Sequence, residues 1–278
     1  MECRLAEFNV LLSFAYHPRA ALIQRYLDAG ARVMLDSGAF TAFASGKPID
    51  LAAYHAYLAH MPLSSPRFKY LALDVIGDPA ATRVNYDKMV AAGFAPVPVI
   101  QPGAPLDDAR YYAERAPLVC FGGLVGRSPA EVMRRVQAYL PAIGDTPYHL
   151  LGTTGSALSL TLGPASVDAS SWKSSGRYGS CSLYLGGGRI KAINKEALVG
   201  PHAAQIARRI VLTGYDPRVL LAEKAWRGGV SPVMELSAAS WMAYGDDLYA
   251  KCGTIVYLAG GESNHENLFQ AWERRRNA

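Results

Sequence analysis

The chain has 278 residues, 50% apolar and 18% charged, a balance that excludes a disordered or fibrous chain and suits an enzyme-sized globular core. Its net charge of +5 is a mild excess of base, compatible with a polyanionic partner or with ordinary surface lysines and arginines. Four widely separated cysteines (Cys3, Cys120, Cys181, Cys252) without a C-x-x-C pair exclude a disulfide framework or a zinc knuckle.

The opening MECRLAEFNV lacks the apolar stretch of a signal peptide, and no window is long and apolar enough to span a bilayer. A cytoplasmic location with reduced thiols and no membrane partner is therefore expected.

Short apolar runs alternate with helical patterns along the chain. NVLLSFAY (9–16) and RVMLDS (32–37) read as the first two strands, and Asp50 then caps a helix over DLAAYHAYLAHM. YLALDVI (70–76) is the third strand. Asp78 with Pro79 opens the helix DPAATRVNYDKMVAAG, which stops at Gly93. PVPVI (96–100) and PLVCFGG (117–123) follow, with Cys120 a small core residue, and Ser128 to Glu131 forms a capping box opening PAEVMRRVQAYL.

YHLLGT (148–153) and ASVDAS (165–170) are the sixth and seventh strands. The Ser/Gly-rich SSWKSSGRYGSCSLYLGGGR (170–189) reads as a long loop or inserted hairpin, and GGGRIK (186–191) as a hairpin turn in preference to a phosphate cradle. TIVYLAG (254–260) is the last strand, and Ser263 to Glu266 repeats the box pattern before ENLFQAWERRR. Most runs lack polar alternation, as parallel strands covered on both faces do. The pattern predicts an α/β fold: a (β/α)8 TIM barrel, one domain over 1–278, with an inserted loop or hairpin after the seventh strand. A doubly wound sheet is the alternative, because periodicity does not show closure.

Three acids stand near the C-terminal ends of three strands: Asp36, Asp74 and Asp168. That end is where barrel enzymes place their sites, and an unpaired buried carboxylate is costly. Taken singly, each is also explained by a helix cap or a salt bridge. Small residues accompany them, with Gly38 after Asp36, Gly122-Gly123 after the fifth run and Gly152 after the sixth. Plain turn chemistry would account for these glycines, and so would close approach of a flat ligand, for which Phe40 offers an aromatic face.

LDSGAF, LALDVIGDP, CFGGLVGRS, YHLLGTT and SVDASSW, in this order, resemble the motifs of the tRNA-guanine transglycosylase superfamily. The pattern is closest to the DNA 7-deazaguanine transglycosylase (DpdA-like) branch of phages and bacteria, and it runs from about Met34 to Tyr178. The resemblance implies that Asp36, in the motif Asp36-Ser37-Gly38-Ala39-Phe40, is the proton-transfer carboxylate and that Phe40 stacks on the base. It implies that Asp74 reads the base, with Gly122, Gly123, Leu124, Leu151 and Gly152 as base-binding segments and Asp168 as nucleophile. Arg177-Tyr178-Gly179 loosely matches the family's Arg-containing loop.

Two departures stand in the first motif, Ala39 for a glycine and Thr41 for a glutamine. Cys181, Cys252 and His265 lack the spacing of the zinc site of the tRNA enzymes, which favours the DNA branch and a chain with no metal or cofactor.

The activity so implied replaces guanine in DNA by a free 7-deazaguanine base such as preQ0, through a covalent Asp168-glycosyl intermediate. Lys173, Arg177, Arg189 and Lys191 are the candidate phosphate contacts, with Arg208-Arg209 and Arg274 to Arg276 more remote. Exchange on tRNA, a metal-dependent barrel hydrolase or lyase using Asp36, Asp74, Asp168 and His149, and a non-catalytic nucleic-acid-binding subunit are the alternatives. A homodimer is left open.

Overall fold

Runs of Val, Leu, Ile and Phe without polar alternation are stable as strands only when both faces are covered. The computed structural model describes residues 8–174, 179–226 and 231–277. Among these, eight strands form one parallel sheet. They are β1 (Asn9–Ser13), β2 (Arg32–Asp36), β3 (Phe68–Tyr70), β4 (Val99–Ile100), β5 (Val119–Phe121), β6 (Tyr148–Leu150), β7 (Ser166–Ala169) and β10 (Ile255–Ala259). Their order is β3-β2-β1-β10-β7-β6-β5-β4. A doubly wound sheet reverses direction beside its first strand, setting β4 next to β1; here β1 lies beside β10. The sheet is curled, and just past the end of β3 and just before the start of β4 Leu71 and Val97 form an isolated parallel bridge. Val97 N–H donates to Tyr70 O and Ala72 N–H to Val97 O, each at 2.8 Å.

The alternation of side chains along the strands sorts the core into two clusters. Leu11, Met34, Leu71, Val99, Cys120 and Tyr257 pack together on the concave side. Their chain neighbours Val10, Leu12, Val33, Leu35, Val119, Phe121, Val256 and Leu258 belong to a larger cluster shared with the helices.

Most of the crossovers between sheet strands are helical. In chain order the helices are α1 (Ala20–Asp28), α2 (Ala39–Ser45), α3 (Leu51–Leu58), α4 (Pro79–Ala91), α5 (Leu106–Ala113), α6 (Pro129–Gln137), α7 (Leu140–Ile143), α8 (Ser156–Leu162), α9 (Ala203–Val211), α10 (Pro232–Cys252) and α11 (His265–Asn277). Three of the four expected caps are in place: Asp50 accepts from Ala52 N–H at 3.0 Å, Asp78 from Ala81 N–H at 2.9 Å and Ser128 from Glu131 N–H at 3.3 Å. The carboxylates expected as far arms of the two capping boxes turn to arginines instead. Glu131 takes Arg135 and Glu266 takes Arg25, each at 2.6 Å. A charged donor outcompetes a single backbone N–H for a carboxylate. No described helix is long and apolar enough to cross a membrane.

Two segments bear on the sequence reading, one correcting it and one agreeing with it. The third run leaves the sheet after Leu71 rather than continuing to Ile76, because α4 supplies the hydrogen bonds. Thr82 Oγ1 accepts from Val75 N–H at 2.9 Å, and Asn85 Nδ2 donates to Leu73 O at 3.0 Å. Asp74 therefore stands beyond the strand, on backbone held by a helix. The segment after β7 is a hairpin from Cys181 onward, with β8 (Cys181–Gly186) antiparallel to β9 (Arg189–Ile193) and Gly187-Gly188 at its tip. The expected hairpin turn in GGGRIK is the one observed.

Before that hairpin, Trp172 is fully buried. Its Nε1 donates to Ala259 O at 2.9 Å, and its carbonyl accepts from Ser237 Oγ at 2.7 Å. Through its indole and its backbone carbonyl, one residue thus ties the stretch after β7 to the end of β10 and to α10. Trp172→Ala removes a large buried ring and strands a buried carbonyl. It is expected to lower stability by about 3–5 kcal/mol, read from the shift in the urea unfolding curve.

Candidate active site

Every parallel strand points its C-terminal end to the same side of the sheet, so residues far apart in the chain meet there. One cleft of ≈ 1040 Å³, counting its open mouth, is lined by Asp36, Phe40, Asp74, Gly122, Gly123, Leu151, Gly152 and Asp168. The same cleft is lined by Phe43, Val125 and Arg127, which the sequence reading did not single out. Phe43 follows Phe40 by three residues on α2, which puts both rings on one helix face. They are 55% (Phe40) and 65% (Phe43) exposed, an unusual condition for large apolar rings that leaves them free to stack on something.

The three carboxyl groups differ in how they are held. Asp36 ends β2 opposite Ser13 of β1, and its Oδ2 accepts from Ser13 Oγ at 3.1 Å and from Gly38 N–H at 2.9 Å. Gly38 has a φ of +84°, and a Cβ there would fall 2.8 Å from Ala15 Cβ, so only glycine allows this donor to reach. Asp74 accepts on both oxygens: Ser37 Oγ at 2.8 Å on Oδ1 and Gln101 Nε2 at 2.6 Å on Oδ2. Asp168 accepts Gly152 N–H at 2.6 Å and faces His149 Nε2 at 3.3 Å, both on Oδ1. Asp36 and Asp168, both lining the cleft, therefore each keep one oxygen unengaged by these donors, whereas Asp74 is pinned at both.

Burial is the main cause that raises the Asp36 carboxyl, with the Asp74 charge adding to it, and the Gly38 and Ser13 donors only partly oppose this. The result is a group pushed up to about 7. Burial likewise raises Asp74 above the usual carboxylate range, against the Ser37 and Gln101 hydrogen bonds. A carboxyl poised near neutrality is what general acid–base work requires.

The remaining candidates are placed as follows. Ser37 is fully buried behind the cleft and acts on Asp74, and Leu124 is 2% exposed, packed in the helix-side core. Gly122 has no room for a Cβ, which would lie 2.8 Å from Gln101 Nε2. The glycine admits the side chain that pins Asp74. Lys173 is partly exposed in the turn after β7, and Arg189 and Lys191 are exposed on β9; none of the three lines the cleft. Arg177 and Tyr178 lie outside the described residues.

Of the remote arginines, Arg274 pairs with Glu235, Arg275 with Asp246, and Arg276 covers the Trp272 ring. Among the described residues no three His, Cys, Asp or Glu side chains are grouped to hold a metal ion. Gln101 and Arg127 were missed by sequence reading. Arg127 stands next to last in the CFGGLVGRS stretch, only four residues after Gly123, a proximity that could have flagged it. Gln101 carries no signal short of the fold itself.

No protein-family model matches the chain, and no curated protein matches its sequence.

The raised Asp36 carboxyl fixes the sign of a pH dependence. Between about pH 4, where an unfolded aspartate loses its proton, and about 7, the folded chain binds more protons than the unfolded one. Stability contributed by this group is thus present at low pH and lost as pH rises through 7. Asp36→Asn abolishes the loss. The variant is expected to gain stability relative to the parent on going from pH 5 to pH 8 in parallel urea titrations.

Proposed function

We propose that the protein is a base-exchange transglycosylase that replaces guanine in DNA by a 7-deazaguanine, and that its curled sheet is a closed (β/α)8 barrel. The observation that carries this reading is the pair Asp36 and Asp168 on one cleft, each with an oxygen free, one carboxyl near neutrality and the other held by backbone and imidazole N–H donors. Two carboxyl groups with separate protonation roles flanking a glycosidic bond are the machinery of retaining glycosyl transfer.

In the first half-reaction the free oxygen of Asp168 attacks C1′ of the nucleotide, the C1′–N9 bond breaks, and the departing guanine takes a proton from Asp36. In the second, the incoming 7-deazaguanine gives its N9 proton to Asp36, N9 attacks C1′, and the bonding electrons return to the Asp168 carboxylate. No net charge is produced and each group ends as it began. Phe40 supplies the stacking face for both purines, with Phe43 beside it at the mouth. The target base must leave its stack to reach such a cleft, at a cost of a few kcal/mol, unless the strand is already single.

DNA is favoured over tRNA by the state of the cysteines. Cys181 is fully buried, its Sγ 3.4 Å from Val233 O, and Cys252 Sγ is 3.3 Å from Leu248 O, so both thiols are engaged in the α10 region rather than presented as zinc ligands. The same free thiols suit a reducing, cytoplasmic setting.

Incubation of the chain with duplex DNA, tRNA and labelled guanine or 7-deazaguanine, followed by nucleoside mass spectrometry, tests the reading. Label is expected in DNA, and Asp168→Ala is expected to reduce incorporation by about 10³-fold or more while DNA binding persists. Undiminished exchange in that variant would remove Asp168 from the chemistry.

A further inference from the structure

His149 is wholly buried at the centre of β6, yet its ring joins a polar chain that ends in the cleft. Its Nδ1 lies 2.8 Å from Ser166 Oγ and its Nε2 lies 3.3 Å from Asp168 Oδ1. Ser166 and Asp168 are two residues apart on β7, so both side chains leave the strand on one face, and His149 is the register partner of Ser166. Tyr257 of β10 meets the imidazole edge-on, ring centroids 5.9 Å apart, and blocks rotation on that side.

The hydrogen-bond roles follow from what each atom can do. An ionised carboxylate only accepts, a hydroxyl does either, and a neutral imidazole has one donor and one acceptor. With the ring proton on Nε2, the imidazole donates to Asp168 and the Ser166 hydroxyl donates to Nδ1, so both ring nitrogens and the Ser166 hydroxyl are satisfied. The other tautomer would set the Nε2 lone pair against Oδ1, which buried groups avoid.

We propose that His149 is a positioning residue for Asp168: its Nε2–H and the Gly152 N–H together hold Oδ1 and turn Oδ2 into the cleft. The inference rests on the transglycosylase reading for what Oδ2 attacks, and on geometry alone for the rest. The chemical consequence lies in the second half-reaction. When Oδ2 is bonded to C1′, Asp168 is a neutral ester and Oδ1 is its carbonyl oxygen. When that C–O bond breaks, the electron pair returns to the carboxylate, N9 of the incoming base takes its place on C1′, and the N9 proton goes to Asp36. Hydrogen bonds to an anion are about twice as strong as those to a neutral acceptor. The two donors on Oδ1 therefore favour the free carboxylate over the ester, which makes Asp168 a better leaving group.

Among the titratable groups around this carboxylate, Asp36 on β2 and Cys120 on β5 both feel its charge, and Asp74 lines the same cleft. All three become more negative on losing a proton, and Tyr257 on β10 faces the imidazole rather than the carboxylate. His149 is thus the side chain that counters the crowding of negative charge at Asp168.

The test uses carbodiimide labelling, which modifies protonated carboxyl groups, with mass spectrometry reading occupancy at Asp168 across pH 4–8 in the parent, His149→Phe and His149→Gln. The phenylalanine removes the donor and the glutamine retains an N–H. Labelling of Asp168 is expected to persist about one pH unit higher in His149→Phe, and to return toward the parent profile in His149→Gln. In exchange assays, kcat on the acid side is expected to fall about tenfold in His149→Phe with KM for DNA unchanged, and the covalent adduct to accumulate. Should the phenylalanine variant not fold, Ser166→Ala, which removes the donor that places the ring proton on Nε2, carries the same comparison and is expected to shift labelling in the same direction.

Identical labelling profiles in the parent and the donor-deleted variant overturn the assignment, whatever the exchange assay shows. A shifted profile in a parent that exchanges no base into any polymer leaves the positioning role standing and overturns the transglycosylase reading instead.

Discussion

Three carboxyl groups open onto one cleft whose floor is apolar, and a carboxylate removed from water without partners costs several kcal/mol. Much of the local structure at this end of the sheet answers that cost with neutral donors rather than with cations. Ser13 and Gly38 serve Asp36, Ser37 and Gln101 serve Asp74, and Gly152 and His149 serve Asp168. The cation at the mouth, Arg127, is shared with Glu131 at 3.6 Å. Neutral dipoles stabilise an anion without cancelling its charge, so the carboxylates still repel one another across a poorly screened space. That residual repulsion, from the Asp74 charge above all, adds to burial in pushing Asp36 up to about 7.

The same need shapes the backbone. Gly38 takes a left-handed turn against Ala15 so that its N–H can face Asp36, and Gly152, with φ at +65° and Val125 against it, presents its N–H to Asp168. Gly122 leaves room for Gln101. From the sequence these glycines suit plain turns or the close approach of a flat ligand alike; in the structure they admit the protein's own donors and side chains. A ligand is left with the free oxygens of Asp36 and Asp168 and the rings of Phe40 and Phe43.

Much of the architecture was legible because its causes are local. Apolar runs bounded by Asp-Pro, Ser-Pro and Gly signals placed eight strands and the capped helices α3, α4 and α6 close to where they lie, since burial on both faces and capping are properties of a few adjacent residues. Errors fell where another side chain claimed the group. The third strand ends early because Thr82 and Asn85 of α4 claim its backbone, and the capping-box glutamates yield to Arg25 and Arg135, one of them 241 residues away in the chain. Asp36, Asp74 and Asp168 stood out in the sequence because an acid at the end of an apolar run is unusual. Gln101 did not, because a glutamine after VPVI looks like the start of any loop.

By itself the sequence determined the strand-and-helix alternation, the end of the sheet on which acids would gather, and the residues that could bear charge there, because hydrophobic period and turn chemistry are encoded in neighbouring positions. Only the tertiary structure decided the sheet order that brings β1 beside β10, the protonation of Asp36, the tying of both Asp74 oxygens and the burial of His149 behind Asp168. Each of those depends on distance through space and on exclusion of water. Neither quantity exists until strands apart in the chain lie against one another.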